Sequence, residues 1–470
     1  MVQRYKFSIE LKISPPDLSG EPLSALLVSD RQDNAKALIA WNERQTGSTF
    51  FMYIYHGLIN TKMGPFGQKK DMQSKAKIII PIVVLFIVIL AIVTCTGNKS
   101  IFVQWEPVAI PKISSKIKLK VYVENSGSMD GYMQQKSEFK DAVKSYVSAL
   151  DLQVDTTELY YINTIVTPFK SSISNLENSL NPQCFAQCGG NRTNSDIADM
   201  ISKVVARTTP NSVSLFISDC ILDVPQGDAV NYFGVKQTNV TRTFVKALKK
   251  NPNLGVEVIR LLSSYHGMYY YSKGGEPIEG KRPYYIWVVG DKKLIGQLNK
   301  KVALSTIQHG YDEYVAYSTT TIVPFSVATP LNKHKIKGKL NSNGQFDFDF
   351  MVDMSETLQE ESVLMSINNY VSKSSKDVSV SRVVKVSQGG DYTHVLTVAV
   401  SPNTNPCRES ILFTPPVVPS WIEKKNDDSG RDIHKNMDKT TGIKYLIMGL
   451  SDAYKDVQNL ATIDFRIKNN

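Results

Sequence analysis

The sequence predicts an α/β protein: a doubly wound, mostly parallel sheet followed by a β-rich, sandwich-like C-terminal domain, with one N-terminal transmembrane or signal helix ahead of both. Three observations carry this prediction. A single long apolar run occupies residues 78–94. Between 116 and 304, segments of strand-like and helical hydrophobic period alternate, the pattern of parallel strands with helices on both faces. Beyond 305, runs of β-branched and aromatic residues succeed one another between Gly, Asn and Ser turns.

Composition narrows the class. The chain has 470 residues, enough for two to four domains, and is 42% hydrophobic and 21% charged. That balance excludes wholesale disorder and a collagen-like fibre. Five cysteines in this length exclude a disulfide-dense miniprotein. A mean hydropathy of −0.18 with one apolar run excludes a multi-span transporter.

The apolar run is flanked by lysines. No charge lies between Lys77 and Lys99, and the 21 residues between them would span ~31 Å as a helix, about one bilayer core. The first 77 residues hold eleven Lys and Arg against seven Asp and Glu, a net +4. Positive charge ahead of the run places the N-terminus in the cytoplasm and the bulk of the chain outside it, with residues 78–94 in the membrane. The rest of the chain carries a dilute +6 with no basic cluster interleaved with aromatics, so no nucleic-acid partner is expected. Two readings of residues 76–96 stand side by side. One is a signal-anchor helix. The other begins at Met72 and resembles a bacterial lipoprotein signal, with Cys95 as the lipidated residue. Residues 1–71 lack sustained period and read as a short cytosolic segment or an extension from a misassigned start. Residues 97–115 hold two prolines and read as a linker or a first edge strand.

Within 116–304, residues 116–123 alternate as a strand. Ser137 caps a helix with Phe139, Ala142, Val143, Tyr146, Val147 and Leu150 on one face. A strand at 158–166 follows, then helical spacing from Ile197 to Val205, then a buried-type strand at 213–218. Residues 240–249 are helical, 255–262 and 284–289 are strands, and 292–304 closes the domain as a helix. In the β-rich domain, 305–470, strands are expected at 314–327, 345–352, 378–386 and 392–401, one helix at 443–454 and a last strand at 460–467.

The segment that carries chemistry is VYVENSGSMDGYM, residues 121–133. A strand ends at Val123, and Glu124, Ser126 and Ser128 follow on a tight loop. Ligands bind at the C-terminal ends of strands in open parallel sheets. One carboxylate and two hydroxyls there form half of a hard-oxygen site suited to Mg²⁺ or Mn²⁺. Here the chain resembles the von Willebrand factor A family, whose metal-ion-dependent adhesion site begins with an Asp-x-Ser-x-Ser loop after the first strand. The resemblance spans about 190 residues and implies two more ligands: Thr193 from the loop before an amphipathic helix, and Asp219 just past the strand VSLFIS. It also implies one open coordination position that a partner protein's acidic side chain fills. The family's first aspartate is Glu124 here, which either reaches the ion through its extra methylene or marks a site that has lost it. In the latter case the Ser/Gly turn only caps a helix. Asp130 and Asp223 lie nearby in sequence, as rim groups or as solvated loop carboxylates.

Cys184 and Cys188, four apart, either close a small disulfide loop beside Thr193 or remain free thiols. The six histidines are scattered, and no His-Glu-x-x-His, Gly-x-Ser-x-Gly or phosphate-loop pattern occurs. The expected function is therefore binding rather than catalysis: a membrane-anchored, extracytoplasmic protein that engages a protein partner through a divalent cation on Glu124, Ser126, Ser128, Thr193 and Asp219. Two alternatives remain, a metal-assisted envelope hydrolase and a structural envelope subunit with a degenerate metal site.

Overall fold

A computed structural model describes residues 100–469, apart from 107–115, 134–135, 170–171, 194, 225–228, 272–273, 308, 329, 333, 387–389 and 431, and also the strands Leu23–Ser29 and Lys36–Asn42. The chain divides into two units, Met1–Thr96 and Gly97–Asn470. In the first, Leu23–Ser29 and Lys36–Asn42 pair antiparallel. The apolar run 78–94 and Cys95 lie outside the described residues. Among the described residues no helix is long and apolar enough to cross a membrane.

The second unit holds a seven-stranded sheet built from β2 (Lys118–Glu124), β3 (Thr156–Ile162), β4 (Val166–Pro168), β5 (Ser212–Ser218), β6 (Leu254–Tyr271), β7 (Gly274–Asp291) and β8 (Tyr311–Tyr317). The preceding strand, β1 (Ile101–Gln104), belongs to another sheet. The spatial order is β8-β6-β7-β5-β2-β3-β4. Only β2–β3 and β2–β5 are parallel, and the other four pairings are antiparallel. The sheet is thus mixed, and the expected doubly wound, mostly parallel fold is not what forms. The reason lies between 254 and 291. The two short strands expected there run on into an 18-residue pair, in register from Leu254↔Asp291 to Tyr271↔Gly274. With no helix between them, consecutive strands can only turn back antiparallel, because a parallel crossover needs a dozen or more residues.

Successive residues of β2 point to opposite faces. Val121 and Val123 join a core under α1 (Glu138–Asp151) and α4 (Lys292–Lys301), while Tyr122 joins a core under α2 (Ile197–Arg207) and α3 (Ala229–Lys250). Ser137 caps α1 by accepting from the Lys140 amide, and the apolar stripe from Phe139 to Leu150 is buried. α5 (Ile443–Ala453), which the sequence places in the β-rich part, lies on this second face instead. Its Gly449 sits where a Cβ would come 2.5 Å from the Gln237 carbonyl, and its Leu446, Ile447 and Leu450 are fully buried. A small residue at the closest approach lets the α3 and α5 backbones pack tightly.

Beyond the first sheet, and leaving aside the two-residue strands Thr321–Ile322, Lys339–Leu340, Asn426–Asp427 and Thr440–Thr441, the strands are β9 (Phe325–Ser326), β10 (Lys335–Lys337), β11 (Phe346–Val352), β12 (Tyr370–Ser372), β13 (Val378–Lys385), β14 (His394–Val400), β15 (Cys407–Phe413) and β16 (Ala461–Asn469). They form two sheets, ordered β10-β1-β16-β15-β12 and β9-β11-β14-β13. Both contribute to one apolar core, where Phe350 of one meets Phe465 of the other edge-on at 5.2 Å between ring centres. β1, from the stretch read as a linker or a first edge strand, lies inside its sheet between β10 and β16, the last strand described. β8, expected in the β-rich part, is the edge strand of the first sheet.

Candidate metal centre

Glu124 is the last residue of β2, and Ser218 is the last residue of the neighbouring parallel strand β5. Glu124 and Asp219 are buried, at 0% and 1% exposure. The Ser218 hydroxyl donates to Glu124 Oε2 at 2.5 Å and accepts from the Cys220 amide at 2.8 Å, so its proton can only point at the carboxylate. Ser126 and Ser128 lie 3.0 Å apart, oxygen to oxygen. Ser126 lies close to Glu124, and Ser128 close to Asp219, so each hydroxyl favours the ionised form of the carboxyl beside it. The result is a chain of oxygens: Ser218, Glu124, Ser126, Ser128 and Asp219. Glu124 Oε1 and Asp219 Oδ2 are buried in it and accept no hydrogen bond.

Unpartnered buried carboxylate oxygens are costly unless a proton or a cation neutralises them. Burial, reinforced by repulsion from Asp219, pushes the Glu124 carboxyl up to about 8. Burial also raises Asp219, with the Ser128 hydroxyl, the Ile221 amide and the Arg282 guanidinium acting against it. At neutral pH the pair therefore holds a proton when no cation is bound. Among the described residues no set of three or more His, Cys, Asp and Glu side chains converges. The donors here are two carboxylates and a group of hydroxyls, a hard-oxygen set that fits Mg²⁺ or Mn²⁺.

The backbone beside the site is strained. Cys220 follows Asp219 with a φ of +53°, in the left-handed region that a non-glycine residue occupies at a cost of roughly 1–3 kcal/mol. This turn lets the Asp219 Oδ1 accept from the Ile221 amide at 3.2 Å and aims its other oxygen into the cluster.

Thr193 is not brought into the cluster. It is exposed, and its hydroxyl and amide both donate to Asn191 Oδ1, at 2.7 and 2.8 Å. The asparagine uses Thr193 to close a local turn. Ser195, two residues further on, is the hydroxyl of this loop that lies near Glu124. The sequence contains both hydroxyls, but only the turn decides which one faces inward. Ser218 was likewise missed. Its one signal is the parallel register that sets it beside Glu124.

Arg192 clamps the loop. Its Nε donates to the Asn125 carbonyl at 2.8 Å, and its guanidinium pairs with Asp130 at 2.5 Å. The Gly127 amide donates to the Arg192 carbonyl at 3.0 Å, so the two loops hold each other. Asp130 is thereby fixed to Arg192, while Asp223 is exposed. Cys184 and Cys188 are free thiols. Cys184 lies within the helix Pro182–Ala186, and the Cys188 thiol donates to the Cys184 carbonyl at 2.8 Å rather than meeting its sulfur. No protein-family model, curated protein or solved structure matches this chain.

Proposed function

We propose that the chain is a cation-dependent protein-binding protein whose Mg²⁺ or Mn²⁺ site is formed by Glu124 and Asp219, with Ser126 and Ser128 as neutral ligands and Ser195 close by. The observation that carries this reading is the pair of buried, unpartnered carboxylate oxygens, Glu124 Oε1 and Asp219 Oδ2, within one hydroxyl network. A divalent cation neutralises both at once, whereas one proton neutralises only one. Support comes from the likeness of the loop 124–128 to a metal-dependent adhesion site, and not from the fold. Ser128 and Gly127 are partly exposed while the carboxylates are not, so a partner's acidic side chain would approach past Ser128. Extracytoplasmic placement rests on the apolar run 78–94 and the net positive charge ahead of it.

The test is calorimetric titration of the full-length protein with Mn²⁺ and Mg²⁺ at pH 8.5. The expected result is saturable binding of one ion per chain, abolished by Asp219→Ala. Lack of saturable binding by the unaltered chain, or binding that survives in Asp219→Ala, defeats the proposal. A pull-down from native membranes with and without EDTA then tests the partner. Capture that is indifferent to EDTA rejects a cation bridge.

A further inference from the structure

A groove of about 680 Å³ runs between α2 and α3, from Asp196 at one end to Thr208 and Thr209 at the other. One wall carries Arg242, Lys246 and Lys250, each one α-helical turn beyond the last and all exposed. Together they make a cationic edge ~12 Å long. Two aspartates also line the groove, but each is already neutralised: Asp196 pairs with Lys236 at 2.7 Å, and Asp199 with Lys203. No described carboxylate pairs with the three cations on α3, so the groove carries an excess of positive charge. Lys250 ends its helix and meets the carbonyl end of the dipole. That effect fades within the last turn, so it does not account for Lys246 and Arg242. Val205, Ala247 and Leu254 add apolar surface, and Ser202, Asn239 and Thr243 add neutral polar groups. Thr208 and Thr209 of the groove precede β5, whereas Asp219 follows it, so the groove's cationic end lies at the opposite end of that strand from the metal centre.

We propose that this groove binds a small phosphorylated molecule carrying at least two phosphate groups, seated on Arg242, Lys246 and Lys250. Its volume lies within the range of small-molecule sites, roughly 300–1,000 Å³. Arginine's planar fork favours phosphate oxygens, and the lysines supply point charges at one-turn intervals. The proposal does not depend on the metal centre.

The probe is sodium tripolyphosphate, titrated calorimetrically into the full-length protein at ~0.15 M salt, where exposed charges are screened beyond about 8 Å. The expected result is saturable one-to-one binding, weakened at least about tenfold in the double variant Arg242→Ala/Lys246→Ala. Lys249→Ala, an exposed lysine of the same helix that does not line the groove, is expected to leave the affinity within about twofold, and Asp219→Ala is expected to leave it unchanged. Circular dichroism of each variant checks that the fold persists, since every substituted side chain in the double variant is exposed. Loss of binding at this salt, an equal loss in Lys249→Ala, or retention in the double variant overturns the proposal. A second arm sediments the protein with phosphatidic-acid vesicles. Binding to vesicles without binding to soluble tripolyphosphate also overturns it, because a flat headgroup layer reaches the rim and not the groove.

Discussion

Glu124 is one of the buried carboxyls that shape the pH behaviour of the molecule. Its folded-state carboxyl lies near 8, above the ordinary 4.5. A carboxyl raised on folding contributes stability that is complete below its unfolded value and is lost as pH rises through the folded one. The cation-free chain is therefore expected to lose stability between about pH 4.5 and 8, and Mg²⁺ to restore it at the upper end. Melting temperatures across that range, with EDTA and with Mg²⁺, check this, and Glu124→Gln should make the EDTA curve shallower, while buried Glu257, raised to about 7, keeps its own share of the slope. A cation-free protein whose melting point holds level through this window would contradict the assignment. Arg282 presents the opposite case, a buried cation. Its Nη1 donates to the Met437 and Lys439 carbonyls at 3.1 and 3.0 Å, and the guanidinium lies 5.3 Å from the Tyr269 ring centre. Arg282→Met leaves those part-buried carbonyls without their donor. Urea unfolding should show a loss of about 1–3 kcal/mol, the usual cost of leaving hydrogen-bonded groups without their charged partner.

At the scale of elements, the long arm of β6 and β7 supports the loop beneath it. A Cβ on Gly131 would come 2.3 Å from the Tyr265 ring, and one on Gly267 would come 2.7 Å from the Gly131 backbone. The arm and the turn Gly127–Tyr132 approach as closely as glycine allows. Tyr132 completes the join, donating from its hydroxyl to the Pro283 carbonyl at 2.6 Å. Gly131→Ala should therefore destabilise the protein by roughly 1–3 kcal/mol, the range for overpacking a tight contact. Denaturant titration measures the loss, and cation titration of the same variant shows whether the displaced turn weakens the metal centre. The cap of α1 is simpler. Ser137→Ala removes the acceptor of the Lys140 amide and should cost about 1 kcal/mol, with no change in cation affinity.

At the scale of the whole unit, the chain crosses between its two parts more than once. It begins in a sandwich sheet as β1, builds the mixed sheet, returns to the sandwich, sends α5 back onto α3, and ends as β16 beside β1. Thr241 and Gln237 of α3 hold α5 by hydrogen bonds to the Gly449 carbonyl at 3.0 Å and the Asp452 carboxylate at 2.8 Å. Such interleaving ties the cores together. Leu446→Ala, at the α3–α5 contact, and Phe465→Ala, in the sandwich core, should each cost about 2–5 kcal/mol and lower one common melting transition. Calorimetry that resolves two transitions, with each variant moving only one, would show the parts to be independent.

Local pattern by itself determined the strand leading into Glu124, the capped helix after Ser137, the buried strand before Asp219 and the hard-oxygen character of the loop. Each depends on periodicity, capping or residue chemistry within a few positions, which a linear chain displays directly. Tertiary structure alone decided the rest. The mixed sheet depends on residues 263–271 and 274–283 extending as an arm, and their glycines, prolines and polar residues give no clean two-residue period. The choice of Ser195 over Thr193 depends on a turn made by Asn191. The pairing of β1 with β16 joins residues more than 350 positions apart, and α5 leaves the β-rich region for α3. Long-range placement of this kind is driven by burial, which is non-directional and has no address in the sequence. The two carboxylates became a candidate centre only when parallel strands set their ends side by side and the core excluded water from them.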